Sequence, residues 1–175
     1  MPFKSSACAA LLATAAIAVQ AQNIEQVVPL EPDAAQPGSF SAAYGATHVL
    51  AGDFRDTFTF TPSASGIVSA SLITIGFLPS ANIDFTAVLL NGVPLVFSFV
   101  GTGLDVAALP LTALAGPLAL VVIGTAAPGL AIGTPVAASY AGTLNVSAVP
   151  EPGSVALFLA GLATVAHLAR RRLAA

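Results

Sequence analysis

The chain contains no tryptophan, no cysteine after Cys8 and no lysine after Lys4. A single early thiol leaves the rest of the 175 residues without a disulfide or a thiolate metal site, so stability there rests on packing. Without tryptophan, and with Tyr44 and Tyr140 as the only tyrosines, few amphipathic rings exist to stack on sugars. That disfavours a glycosidase or an aromatic-stacking lectin. Charge is equally sparse, at 7% of residues against roughly 25% in ordinary soluble domains. Disordered chains are polar and charge-rich, so 56% apolar composition points instead to membrane segments or to a β-rich body surfaced with Ser, Thr, Ala and Gly.

The few charges are segregated. Lys4, Arg170, Arg171 and Arg172 lie near the chain ends, and Arg55 is the one base between residues 22 and 150. Seven acids share that stretch (Glu25, Glu31, Asp33, Asp53, Asp56, Asp84 and Asp105), for a net charge of −6. Nucleic acid, which is bound through clustered Lys and Arg, is therefore disfavoured as a partner. Adhesion to anionic lipid is disfavoured for the same reason.

The N-terminus reads as an export signal over residues 1–21. Lys4 supplies a basic start, Cys8 to Val19 is nearly unbroken apolar sequence, and Val19-Gln20-Ala21 places small residues for cleavage between Ala21 and Gln22. The apolar run is well short of the ~20 residues a spanning helix needs. Signal peptidase is the implied partner.

The C-terminus, residues 149–175, reads VPEPGSVALFLAGLATVAHLARRRLAA. A Pro-Glu-Pro turn at Pro150, Glu151 and Pro152 precedes a short transmembrane helix expected over about 154–169, with Ser154 as its N-cap. Arg170–Arg172 form a basic stop, placed on the cytoplasmic side by the positive-inside rule. Fifteen apolar residues give about 22 Å of helix, less than the ~30 Å hydrocarbon core.

Taken together, Pro-Glu-Pro, apolar helix and arginine cluster resemble the PEP-CTERM sorting domain. The resemblance implies an exosortase, a membrane protease-transpeptidase of Gram-negative bacteria that make extracellular polysaccharide, as processing partner. It makes Val149, Pro150, Glu151 and Pro152 the recognition segment. The helix would hold the chain in the inner membrane transiently, before release to the cell surface or extracellular matrix.

Between the signals, residues 22–43 read as an extended polar lead-in with Pro29, Pro32 and Pro37, and residues 44–148 as an all-β domain. The expected strands are Phe54–Thr61, Ile67–Phe77, Ile83–Leu90, Val93–Val100, Leu104–Leu114, Leu118–Gly124 and Pro135–Val146, in an antiparallel sandwich or jelly roll. Asn91-Gly92 predicts a hairpin turn. The Ala/Leu-rich Val106–Val122 also suits helix, but Pro110, Gly116 and Pro117 favour strand. In Phe54–Phe60, a period of two puts Phe54, Asp56, Phe58 and Phe60 on one face. Asp56 is anomalous there, since an unpaired buried carboxylate is strongly disfavoured. It is expected at the core's edge, accepting hydrogen bonds from backbone N–H groups. The pentapeptide Phe54-Arg55-Asp56-Thr57-Phe58 resembles the signature of a Phe-x-Asp-x-Phe subgroup of PEP-CTERM proteins. The resemblance implies secretion and a β-rich body and assigns no activity.

Chemistry is hard to build from what remains, and no catalytic residues are assigned. His48 is the one histidine before the tail, and no Gly-x-Ser-x-Gly elbow frames a serine for it. It reads as an ordinary strand or loop residue. No zinc spacing occurs. Calcium has Asp53 and Asp56 as candidate ligands, with Asp84 a possible third. A glycosidase pair can be drawn only among Asp53, Asp56, Asp84 and Asp105. The leading expectation is an exported structural protein associated with the surface or with exopolysaccharide. The alternatives are a calcium- or glycan-binding extracellular module and a secreted hydrolase.

Overall fold

The computed structural model describes residues 23–99, 103–148 and 152–173. The signal segment, the Ala21–Gln22 cleavage site, and Val149, Pro150 and Glu151 lie outside the described residues.

Among the described residues eleven strands form two sheets. Sheet I has the order β1-β4-β10-β6-β7 and sheet II the order β2-β3-β11-β5-β9-β8. Their ranges are β1 Glu25–Pro29, β2 Glu31–Pro32, β3 Phe40–Leu50, β4 Gly52–Thr61, β5 Gly66–Ile75, β6 Ile83–Leu90, β7 Val93–Pro94, β8 Val96–Ser98, β9 Leu104–Leu114, β10 Leu118–Ala126 and β11 Pro135–Ser147. All pairings are antiparallel except β1 with β4. The architecture is consistent with an all-β sandwich, its core filled by the inward residues of both sheets.

Alternation decides which residues face in. On β4, Phe54, Asp56, Phe58 and Phe60 are buried, while Asp53 and Arg55 are exposed. On β10, Leu118, Leu120 and Val122 take the inward positions. Tyr44 and Tyr140 pack among the phenylalanines, with the Tyr44 ring 5.2 Å from Phe58 and edge-on to Phe60 at 5.7 Å, an arrangement favoured by the ring quadrupoles. The Asn91-Gly92 hairpin forms as expected: both residues have positive φ, 49° and 80°, and Leu90 pairs with Val93. Val106–Val122 is strand, turn and strand, so the residues suited to helix are overridden by Pro110, Gly116 and Pro117.

Several expectations need correction. The lead-in is extended, but it is part of the sheets: β1 and β2 lie within it, and Val28 and Leu30 are core residues. Strand β3 was not anticipated because FSAAYGATHVL is short of β-branched residues; its neighbours, not its propensity, make it a strand. The expected single strand Val93–Val100 is divided between sheets. Leu95 turns into the core, leaving β7 paired with β6 in sheet I and β8 paired with β9 in sheet II. The first ladder reaches one residue past Pro94, where the Leu95 N–H donates to Val88 O at 2.9 Å.

Gly142 is one of several glycines fixed by space. A Cβ on Gly142 of β11 would lie 2.2 Å from the Ser71 carbonyl oxygen and 2.7 Å from the Tyr44 hydroxyl. The phenol crosses there to donate to Ser71 O at 2.8 Å.

The C-terminal helix, α1, runs Pro152–Leu173. It begins at Pro152, where a missing N–H costs nothing, and not after a Ser154 cap. A bilayer-spanning helix over 154–169 is not borne out: no helix among the described residues is long and apolar enough to cross a membrane. The apolar part covers only about 22 Å before the arginines intervene.

Candidate functional site

The motif acid Asp56 lies inside the sandwich and not at its edge; it is 0% exposed. Its carboxylate joins three parts of the chain. Oδ1 accepts the backbone N–H of Ile24 at 2.9 Å, just before β1. Oδ2 accepts the Tyr140 hydroxyl of β11 at 2.5 Å and faces His48 Nε2 of β3 at 3.0 Å. The expected backbone donor is thus present, but the two side-chain partners went unrecognised in the sequence. They come from the opposite sheet, at separations of 8 and 84 residues. With the other donors aimed at the carboxylate, His48 donates through Nε2–H, and its Nδ1 has no partner among the described residues. The imidazole stacks on Phe54 with centroids 4.0 Å apart.

Burial, the hydrogen bond to Asp56 and the nearby carboxylate charge all push the Tyr140 phenol well above its ordinary value of 10.0. Burial alone raises Tyr44. Histidine, aspartate and tyrosine are residue types suited to proton transfer. Here they are sealed, with His48 1% and Tyr140 4% exposed, so no substrate can reach them without opening the two sheets. As arranged, the cluster satisfies a buried acid and ties sheet I to sheet II.

The other candidate acids do not converge. Asp53 projects from the outer face of β4, away from Asp56, and accepts the Thr125 hydroxyl at 2.6 Å. Strand alternation thus puts Asp53 and Asp56, the calcium candidates, on opposite faces of β4. Asp84 accepts the Asn82 amide at 2.8 Å, and Asp105 is buried, accepting the Phe85 N–H. Among the described residues no group of three or more metal-ligating side chains occurs. A depression of about 500 Å³ on the outer face of sheet II is lined by Gly45, Thr47, Ile73, Ile75, Ser139 and Ala141, among others, with no charged side chain.

The tail treats its side chains differently. From Ala156 to Val165, α1 exposes its residues; Leu157, Phe158, Leu159, Leu162 and Val165 are each more than half accessible. Such a helix is amphipathic in neither sense, with apolar residues on successive positions, and Arg170 is exposed at its end. These apolar side chains of α1 are thus left unburied by the sandwich.

Residues 148–172 match the PEP-CTERM protein-sorting motif. The PEP-CTERM segment thus includes Val149, Pro150, Glu151, Pro152 and the basic Arg170, Arg171 and Arg172, and it marks the chain as a substrate of exosortase-type sorting. This motif is a C-terminal sorting signal of proteins exported to the cell surface. No curated protein and no solved structure matches the chain at a significant level.

Proposed function

We propose that this is an exported structural protein of the cell surface or the exopolysaccharide matrix. Signal peptidase removes residues 1–21, and an exosortase-type enzyme recognises Val149–Pro152 and processes the tail. The PEP-CTERM match carries this reading. A basic-apolar N-terminus ending in Val19-Gln20-Ala21 supports the first cleavage. The exposed apolar face of α1 supports a tail that is handed to a membrane enzyme and not docked on the body. Within this reading the chain belongs to the Phe-x-Asp-x-Phe subgroup, supported by its Phe54, Asp56 and Phe58, and the motif acts in the core. The body is non-catalytic; the support is that its one histidine and the motif acid are enclosed between the sheets.

Intact-mass analysis of fractionated native protein tests both cleavages. The expected product begins at Gln22, lacks the arginine cluster and is found in the surface or matrix fraction. Full-length protein with Arg170–Arg172 intact, in cells with a working sorting enzyme, overturns the proposal.

A further inference from the structure

The hydrogen bonds of Asp56 draw on both ends of the body. Tyr140 comes from β11, its last strand, and the Ile24 N–H comes from the residue just before β1. Around that bond the first described residues are fixed in several ways. Asn23 Oδ1 accepts the Arg55 N–H at 2.8 Å, Ile24 O accepts the Thr57 N–H at 2.8 Å, and the Leu30 N–H donates to Thr61 O at 2.6 Å. Between these ties β1 runs parallel to β4, with Glu25 opposite Thr57 and Pro29 opposite Thr61. Val28 and Leu30 are buried, and Ile24 packs against the core. Residues 23–30 thus form a strap along one margin of sheet I.

The strap is also a part of the sheet that can be added separately. β1 stands at the end of the order β1-β4-β10-β6-β7, so no described strand of that sheet lies outside it. Without it, β4 keeps β10 as its antiparallel partner over residues 52–60, and Asp56 Oδ2 keeps Tyr140 and His48. What is lost is the donor to Oδ1 and the cover that Val28 and Leu30 give the core. A buried acceptor deprived of its donor is costly. The body without its strap therefore carries a defect at Asp56, which the Ile24 N–H removes.

The cleavage site read from the sequence lies directly beside this strap. A protease grips extended, exposed backbone on both sides of the bond it cuts, so backbone already hydrogen-bonded within a fold resists it. With the strap docked, Gln22 alone separates the Ala21–Gln22 bond from Asn23, whose side chain is tied. Ile24 follows, with its N–H and its C=O both taken. Cleavage and docking thus compete for the same few residues. We propose that strap 23–30 docks on β4 only after the signal segment has been removed, and that Asp56 is the latch that holds it. Resting on the cleavage proposed above, the order is removal of residues 1–21, docking of the strap, and completion of the hydrogen bonds of Asp56. The motif acid then distinguishes a body whose amino terminus has been freed from one still joined to its signal.

The test compares the processed protein with a full-length chain carrying Val19→Phe and Ala21→Phe, which removes the small residues that cleavage needs. Both are purified in the same mild detergent and followed by hydrogen exchange. Intact mass first establishes that the processed chain begins at Gln22; a different start overturns the cleavage and this order together. Given that start, the Ile24 and Leu30 amides should exchange tenfold or more slower in the processed chain than in the uncleaved one. The Leu120 amide of β10, a strand paired on both sides, should be protected in both. Equal protection at Ile24 and Leu30 overturns the order of docking and leaves the cleavage standing. An uncleaved chain unprotected at Leu120 as well shows that the signal segment holds back the whole fold, and overturns an effect confined to the strap. For the latch, Ile24→Pro in the processed protein deletes the donor to Asp56, whereas Ile24→Val keeps it. Proteolysis within 23–30 should rise tenfold or more in the first and stay at the parent rate in the second. An unchanged rate in Ile24→Pro, or an equal rise in Ile24→Val, overturns the latch.

Discussion

The sandwich and the tail helix are both rich in apolar residues, and they dispose of them in opposite ways. In β4 and β10 every second side chain enters the core, whereas α1 leaves Leu157, Phe158 and Leu159 exposed in succession. The body spends its apolar surface on its own stability at about 25 cal/mol per Å² buried. The tail leaves its described apolar side chains exposed. Polar groups follow the same division. The body's distinctive acid is locked inside, and Arg170 of the tail is exposed. Stability and address are therefore carried by separate parts of the chain, and substitutions should separate them.

The largest effect on stability is expected from Asp56→Ala. It strands the Tyr140 hydroxyl, His48 Nε2 and the Ile24 N–H inside the core, at a cost of about 3–5 kcal/mol. A melting curve close to that of the parent would break the comparison at its centre. Gly142→Ala comes next, because the new methyl must displace the Ser71 carbonyl or the Tyr44 phenol; about 1–3 kcal/mol is expected, read by denaturant titration.

Tyr140→Phe should cost about 1–2 kcal/mol at neutral pH, with a distinctive pH dependence. The folded phenol holds its proton above the ordinary 10.0, so its contribution is intact below that pH. It is lost as the pH rises further and the unfolded chain ionises first. Removing the hydroxyl should therefore flatten the alkaline fall in melting temperature. An unchanged alkaline slope would argue that Tyr140 does not hold its proton in the fold. The smallest effect on stability belongs to the tail: Glu151→Ala with Pro152→Ala should leave the body's melting temperature unmoved while stopping processing in cells. A melting shift with processing intact would reverse the division of labour.

Local chemistry explains which parts were legible in the sequence. β6 and β9 were read with their exact limits because Gly92, Pro79 and Gly103 punctuate β-favouring runs. The inward face of β4 followed from its period of two. The sorting motif of the tail was legible because its parts are contiguous, whereas the spanning helix expected there is not shown. β3 was hidden by its alanines and glycine, since a strand made by its neighbours leaves little trace in its own composition. The surroundings of Asp56 were hidden for a related reason. His48 and Tyr140 meet the acid only after the sheets are stacked, and nothing within β4 names them. The division of Val93–Val100 between sheets depends on Leu95 finding a place in the core, which is a fact of three-dimensional packing.

The position of β11 has a consequence for timing. The last strand of the body is inserted between β3 and β5, pairing Phe40 with Val146 and Ile67 with Ser147. A polypeptide that emerges N-terminus first can assemble neither half of sheet II onto the other until residue 147 is free. By then the next residues to appear are those of the sorting motif. Maturation of the domain and arrival of its delivery label are thus nearly simultaneous, a schedule written into strand order.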